Sequence, residues 1–118
     1  MLSTFIETRE FTRNFESLGY NDDDLRRLQL TLLANPNTGD VMKGCGGLRK
    51  MRFSRDNRGK SGGVRVCYLN MPSCELIYLI TVFAKNNQEN LTHEQRNNIY
   101  KAVSALKQEA KQNEELRQ

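Results

Sequence analysis

The sequence predicts an α+β domain: an antiparallel sheet with two N-terminal helices and one C-terminal helix, in the order β-α-α-β-β-β-α. Three observations predict it. Apolar residues recur at helical spacing from Arg9 to Leu33, they alternate with polar ones from Leu48 to Leu69, and a run apolar on both faces, Leu76 to Phe83, precedes a capped helix. The 118 residues fit one domain, assigned to residues 1–110, followed by a polar C-terminal tail at 111–118. A chain of this length can bury roughly two thirds of its unfolded surface, enough for a core.

Ser3 to Glu7 reads as a short strand. Arg9 to Leu18 reads as a helix with Phe11, Phe15 and Leu18 on one side, ended by Gly19. Asn21 is the expected N-cap of the next helix, and Asp22, Asp23 and Asp24 fall in its first turn, where the helix dipole favours anions. Leu25, Leu28, Leu32 and Leu33 are its expected core stripe, and Asn35-Pro36 closes it, because the residue before proline disfavours helix.

From Pro36 to Gly47 the chain is rich in turn residues, with Gly44, Gly46 and Gly47 around Cys45. This glycine-rich stretch lacks the Gly-Lys-Ser/Thr ending of a nucleotide-binding loop and leads into a strand, so it is read as a connector. Leu48 to Ser54 alternates, with Arg49, Met51 and Phe53 on one face and Lys50 and Arg52 on the other. Asn57 to Gly63 is a turn, and Val64 to Leu69 returns with Arg65, Cys67 and Leu69 on one face, so hairpin pairing brings Arg65 close to Lys50 and Arg52. The run Leu76 to Phe83 is an inner strand. Thr92 with Gln95 forms a capping box for the last helix, which packs through Ile99, Val103 and Leu106 and turns polar after Glu109.

Charge is unevenly placed. The net charge is +4, but Lys43 to Arg65 holds eight basic residues (Lys43, Arg49, Lys50, Arg52, Arg55, Arg58, Lys60 and Arg65) against Asp56 alone, whereas the remaining 95 residues carry ten basic and thirteen acidic ones. A mildly acidic body bearing a basic patch points to a polyanionic partner, and nucleic acid is the natural one. The apolar run Leu76 to Phe83 is far short of the roughly 20 residues that span a bilayer, so no membrane partner is expected. Met1 to Glu7 lacks a basic region before an apolar stretch, which is not the pattern of a secretory signal and places the expected working compartment in the cytoplasm. Cys45, Cys67 and Cys74 are odd in number and show no CxxC spacing, and with His93 the sole histidine they read as reduced thiols; no metal site and no cofactor are expected.

Lys50 and Arg52 on one strand, Arg65 on the next and Lys85 after the third converge on one side of the expected sheet. Such crowding favours an occupying anion and depresses a lysine toward use as a general base. RNA cleavage needs deprotonation of a 2′-hydroxyl, stabilisation of a charged phosphorane and protonation of the leaving 5′-oxygen, and a cation cluster can meet these needs without a metal. The outer cations Lys43, Arg49, Arg55, Arg58 and Lys60 are read as RNA- or ribosome-binding residues, since phosphate contacts set register and affinity.

The strings Gly39-Asp40-Val41, Gly46-Gly47-Leu48-Arg49-Lys50-Met51-Arg52, Gly62-Gly63-Val64-Arg65-Val66-Cys67-Tyr68 and Ile80-Thr81-Val82-Phe83-Ala84-Lys85-Asn86, with Gly44, resemble the RelE/HigB toxins of bacterial type II toxin–antitoxin systems over roughly residues 3 to 108. The resemblance implies a RelE-like fold and a metal-independent endoribonuclease that cuts translated mRNA in the A site of the 70S ribosome. It also implies a cognate antitoxin, and contact with operator DNA only through the antitoxin complex. By motif, the catalytic positions are Lys50, Arg52, Arg65 and Lys85, with Arg65 foremost as phosphorane stabiliser and Lys50 or Lys85 as base. The chain departs from many such enzymes in having Asn86 where they carry arginine, and where they have a tyrosine or histidine near the C-terminal end for proton transfer it offers just Tyr100 and His93. A second reading is a ParE-like toxin that inhibits DNA gyrase by binding.

Overall fold

The computed structural model describes residues 3–54, 63–84 and 92–116. Its elements are β1 (Thr4–Glu7), α1 (Arg9–Ser17), α2 (Asp22–Ala34), β2 (Asp40–Val41), β3 (Arg49–Phe53), β4 (Val64–Met71), a 3-10 turn at Pro72–Cys74, β5 (Leu76–Ala84) and α3 (His93–Leu116). The strands form one mixed sheet in the order β1-β5-β4-β3-β2. The expected elements are all present, with one added strand and one correction to the expected antiparallel sheet. A two-residue strand, β2, pairs antiparallel with β3. The sheet is antiparallel from β2 to β5, but β1 joins β5 in parallel, because the helical hairpin α1–α2 and the β3–β4 hairpin lie between them in sequence.

Local chemistry sets the helix ends. Thr8 caps α1 by accepting the Phe11 amide at 3.0 Å, and its own hydroxyl donates to the Ile80 carbonyl at 2.6 Å, which ties the helix start to β5. Asn21 caps α2 as expected, and the box is reciprocal: its side chain accepts the Asp24 amide at 2.9 Å while the Asp24 carboxylate accepts the Asn21 amide at 2.8 Å. Thr92 and Gln95 form the expected box at the start of α3, at 2.8 and 3.1 Å.

The two sheet faces carry separate cores. Phe11, Phe15, Leu28 and Leu32 from the first two helices pack on Met51, Phe53, Val66, Tyr68, Leu79 and Val82, with Phe11 stacked on Phe15 at 5.1 Å. On the opposite face Val103 and Ala110 of α3 join Cys45, Leu48, Cys67, Leu69 and Tyr78. β5 serves both cores, as its apolar run, interrupted only at Thr81, requires. A register shift opposite Cys67 and Tyr68 changes which of its residues face each core: Cys67 pairs with Thr81 and Tyr68 with Leu79, leaving Ile80 as the extra residue and inverting the alternation beyond it.

One expected core residue is not buried. Leu33 is 41% exposed, because Leu25, Leu28 and Leu32 already fill the face of α2 that meets the sheet and Leu33 lies a further 100° round the helix. α3 also continues to Leu116, beyond the point where the sequence turns polar, with Ala110 buried on its inner side.

Candidate functional site: a cationic cleft on the sheet

The register of β3 and β4 settles which cations meet. Arg52 and Arg65 are direct cross-strand partners, and Lys50 is opposite Cys67 two residues away, so all three side chains belong to the α3 face of the sheet. The rungs extend across the sheet: Asp40, Lys50, Cys67 and Thr81 form one, and Arg52, Arg65 and Phe83 form the next. α3 covers the Leu69–Met71 end of β4, while Arg52 is exposed and Lys50 and Arg65 are half-buried. These three residues line a cleft of about 490 Å³ together with Thr38, Asp40 and Met51.

The expected catalytic set is therefore brought together as far as it is described. Lys85 lies outside the described residues; the residue before it, Ala84, ends β5 opposite Val64, the neighbour of Arg65. Of the expected outer cations, Arg55, Arg58 and Lys60 also lie outside the described residues. Lys43 is exposed in the glycine-rich connector, where its carbonyl accepts Arg96 at 3.0 Å. Arg49 does not join the cleft. Alternation turns it to the other face, where its guanidinium donates to the Gly39 carbonyl at 2.7 Å and the Asn37 carbonyl at 3.4 Å. It anchors the connector there. His93 is exposed at the start of α3, and Tyr100 is exposed beside Gly46.

Asp40 is the residue that sequence reasoning missed as part of the site. Its position follows from the segment before it. The buried Tyr68 hydroxyl donates to the Pro36 carbonyl at 2.8 Å and accepts the Gly39 amide at 2.9 Å. With Arg49 on the Gly39 carbonyl, both polar groups of Gly39 are held, and the next residue enters the sheet edge opposite Lys50. The available signal was the turn string Pro36-Asn37-Thr38-Gly39, which marks where the chain arrives at that edge.

The far end of β3 is fixed from α2. The Arg27 guanidinium lies 4.7 Å from the Phe53 ring centre, donates to the Ser54 carbonyl at 2.9 Å and pairs with Asp24 at 3.3 Å. The glycine-rich connector is docked on α3, as a connector should be: a Cβ on Gly46 would stand 3.0 Å from Val103, and Lys107 donates to the Gly46 carbonyl at 2.6 Å.

Beneath the cleft, burial pushes the Cys67 thiol up from 9.0 to about 12, against the opposing pull of Lys50. It is a protonated filler rather than a nucleophile. Burial also raises Tyr68 and Tyr78 above their ordinary 10.0. Each group holds its proton more tightly folded than unfolded, so the unfolded chain releases protons first and stability falls as pH rises. These groups add no slope well below pH 9, and urea unfolding should show stability declining from about pH 9 upward, at up to about 1.4 kcal/mol per pH unit for each such group. The Cys67→Ala variant should lose the part of the slope that begins at pH 9; an equal slope in both proteins would contradict this.

A mixed five-stranded sheet with helices on both faces and a basic cleft at the β2–β3–β4 side defines an α+β domain of the RelE-like fold. The family model of the RelE toxin of the RelE/RelB toxin–antitoxin system matches residues 4–118, and the chain belongs to this family. It is a toxin of a toxin–antitoxin system, with an antitoxin as its partner. Among the described residues no helix is long and apolar enough to cross a membrane.

Proposed function

We propose that this toxin is a ribosome-dependent endoribonuclease that cleaves translated mRNA in the A site, with the scissile phosphate seated in the cleft of Lys50, Arg52 and Arg65. The observation that carries this reading is the direct opposition of Arg52 and Arg65 across β3 and β4. Like charges in directly facing positions destabilise a sheet, and an anion between them reverses the sign of that interaction. The guanidinium fork suits a phosphate that gains charge: two arginines can donate to both non-bridging oxygens as the phosphorane forms. Arginine cannot transfer a proton at neutral pH, so Lys50 and Lys85 are the members of the set able to do so. No step of this chemistry requires a metal ion.

The test is to map mRNA 5′ ends in a translating extract with and without the protein. New ends within codons occupied by ribosomes are expected, and none on the same mRNA without ribosomes. Translation arrest with no new ends would overturn the reading.

Lys43, Arg55, Arg58 and Lys60 are assigned to ribosomal RNA, where they set affinity rather than rate. Ribosome affinity should fall linearly with salt on logarithmic axes, and each Ala substitution among the four should lower the slope by about one unit without changing the cleavage rate of bound mRNA. Binding measured at several salt concentrations checks this, and a flat response would contradict it.

A further inference from the structure

We infer that Asp40 is the general base of the cleft, the group that accepts the 2′-hydroxyl proton of the RNA; the inference rests on the ribonuclease reading above. Asp40 shares a rung with Lys50 and lines the same cleft as Arg52 and Arg65, and among the described residues it is the sole carboxylate lining it. A carboxylate is ionised at neutral pH as it stands, whereas an ammonium must first lose its proton before it can accept one. The carboxylate also sits on the edge strand, with its side chain exposed, where the ribose flanking a phosphate held by Arg52 and Arg65 can reach it.

The placement is built rather than incidental. The residue before Asp40 has its amide held by Tyr68 and its carbonyl by Arg49, and Tyr68 also holds Pro36. Among the described residues, the charged and titratable groups on its own rung and the next are Lys50 of β3, Arg52 beyond it, and Arg65 and Cys67 of β4, so the carboxylate is set against three cations and a thiol that stays protonated.

The step balances as follows. The 2′-hydroxyl proton passes to the Asp40 carboxylate as the 2′-oxygen forms its bond to phosphorus. Arg52 and Arg65 hold the phosphorane charge. The bond from phosphorus to the 5′-oxygen breaks, and that oxygen takes a proton from the Lys50 ammonium. The products are a 2′,3′-cyclic phosphate and a 5′-hydroxyl, and Asp40 and Lys50 then exchange their proton with solvent.

The experiment compares wild type with Asp40→Asn, Asp40→Glu and Arg65→Ala in single-turnover cleavage of ribosome-bound mRNA across pH, with ribosome binding and melting temperature measured alongside. Asp40→Asn should cleave at least about a hundredfold more slowly and lose the ascending acid limb of the wild-type profile. It should bind ribosomes as tightly or more tightly, since it removes a negative charge from a phosphate site. Asp40→Glu should recover about tenfold or more over Asn. Slow cleavage by Arg65→Ala with near-wild-type cleavage by Asp40→Asn would overturn the role of Asp40 and leave the ribonuclease reading standing. A slow Asp40→Asn that keeps the wild-type acid limb would also overturn it, by making Asp40 a structural partner of Lys50. No cleavage by wild type would end both.

Discussion

Arg65→Ala is expected to slow cleavage of ribosome-bound mRNA by about a hundred- to a thousandfold while the protein stays folded. The magnitude is that of removing one preorganised donor from a developing anion. Arg65 earns the larger effect over Arg52 because its own position on β4 is paired on both sides, to Arg52 of β3 and Phe83 of β5, whereas Arg52 lies past the end of the β2 pairing at Lys50 and is exposed. A donor on a doubly paired strand cannot follow the phosphate as it changes shape, and fixed placement is what makes such a donor effective. Stability should hold or rise slightly, because the alanine removes a like-charge contact with Arg52. Arg65→Lys separates charge from geometry: it keeps the charge but loses the planar fork, so it should fall between the alanine variant and wild type. The measurements are single-turnover rates and melting temperatures for the three proteins. A wild-type rate from Arg65→Ala would remove the cleft from the chemistry, and unchanged toxicity in cells would place the toxic action on another surface.

Which parts of this arrangement could be read in advance depends on the range of the forces that set them. The caps at Asn21 and Thr92 were legible because a cap is decided within four residues, and the facing of Lys50, Arg52 and Arg65 was legible because a strand alternates with a period of two. The same alternation already set Arg49 opposite to Lys50, so its turn to the other face was legible as well, whereas its bonds to the connector were not. Leu33 was misplaced because a leucine next to a filled stripe looks like part of it until the width of the contact is known. The parallel pairing of β1 with β5 spans some seventy residues, and nothing local encodes it. β2 has two residues, too few to show any period, and so the carboxylate it carries was invisible as a site residue even though Gly39-Asp40-Val41 had been singled out as a string.

Gly39→Ala should damage both stability and cleavage, for a reason of space rather than backbone conformation. A Cβ at this position would stand 2.9 Å from the Lys50 carbonyl oxygen, 3.0 Å from the Lys50 carbonyl carbon and 3.0 Å from Cε1 of the Tyr68 ring. Two of those neighbours are backbone of β3 and the third belongs to a fully buried ring, so none can swing aside cheaply. The connector must instead lift from the sheet, which stretches the bonds from the Gly39 amide to Tyr68 and from Arg49 to the Gly39 carbonyl and draws Asp40 away from Lys50. Overpacking of this kind costs about 1–3 kcal/mol, and a shift of about 1 Å at a reacting group can cost a hundredfold in rate. Tyr68→Phe tests the same clamp without adding bulk: it deletes the donor to the part-buried Pro36 carbonyl and the acceptor for the buried Gly39 amide, and should cost about 1–3 kcal/mol, most of it from the amide left unpaired. Chemical denaturation gives the stability change, and single-turnover cleavage under conditions where both variants are fully folded gives the effect on rate. A Gly39→Ala protein with wild-type stability and rate would mean that the connector yields freely, and that the position of Asp40 does not depend on the contacts drawn around Gly39.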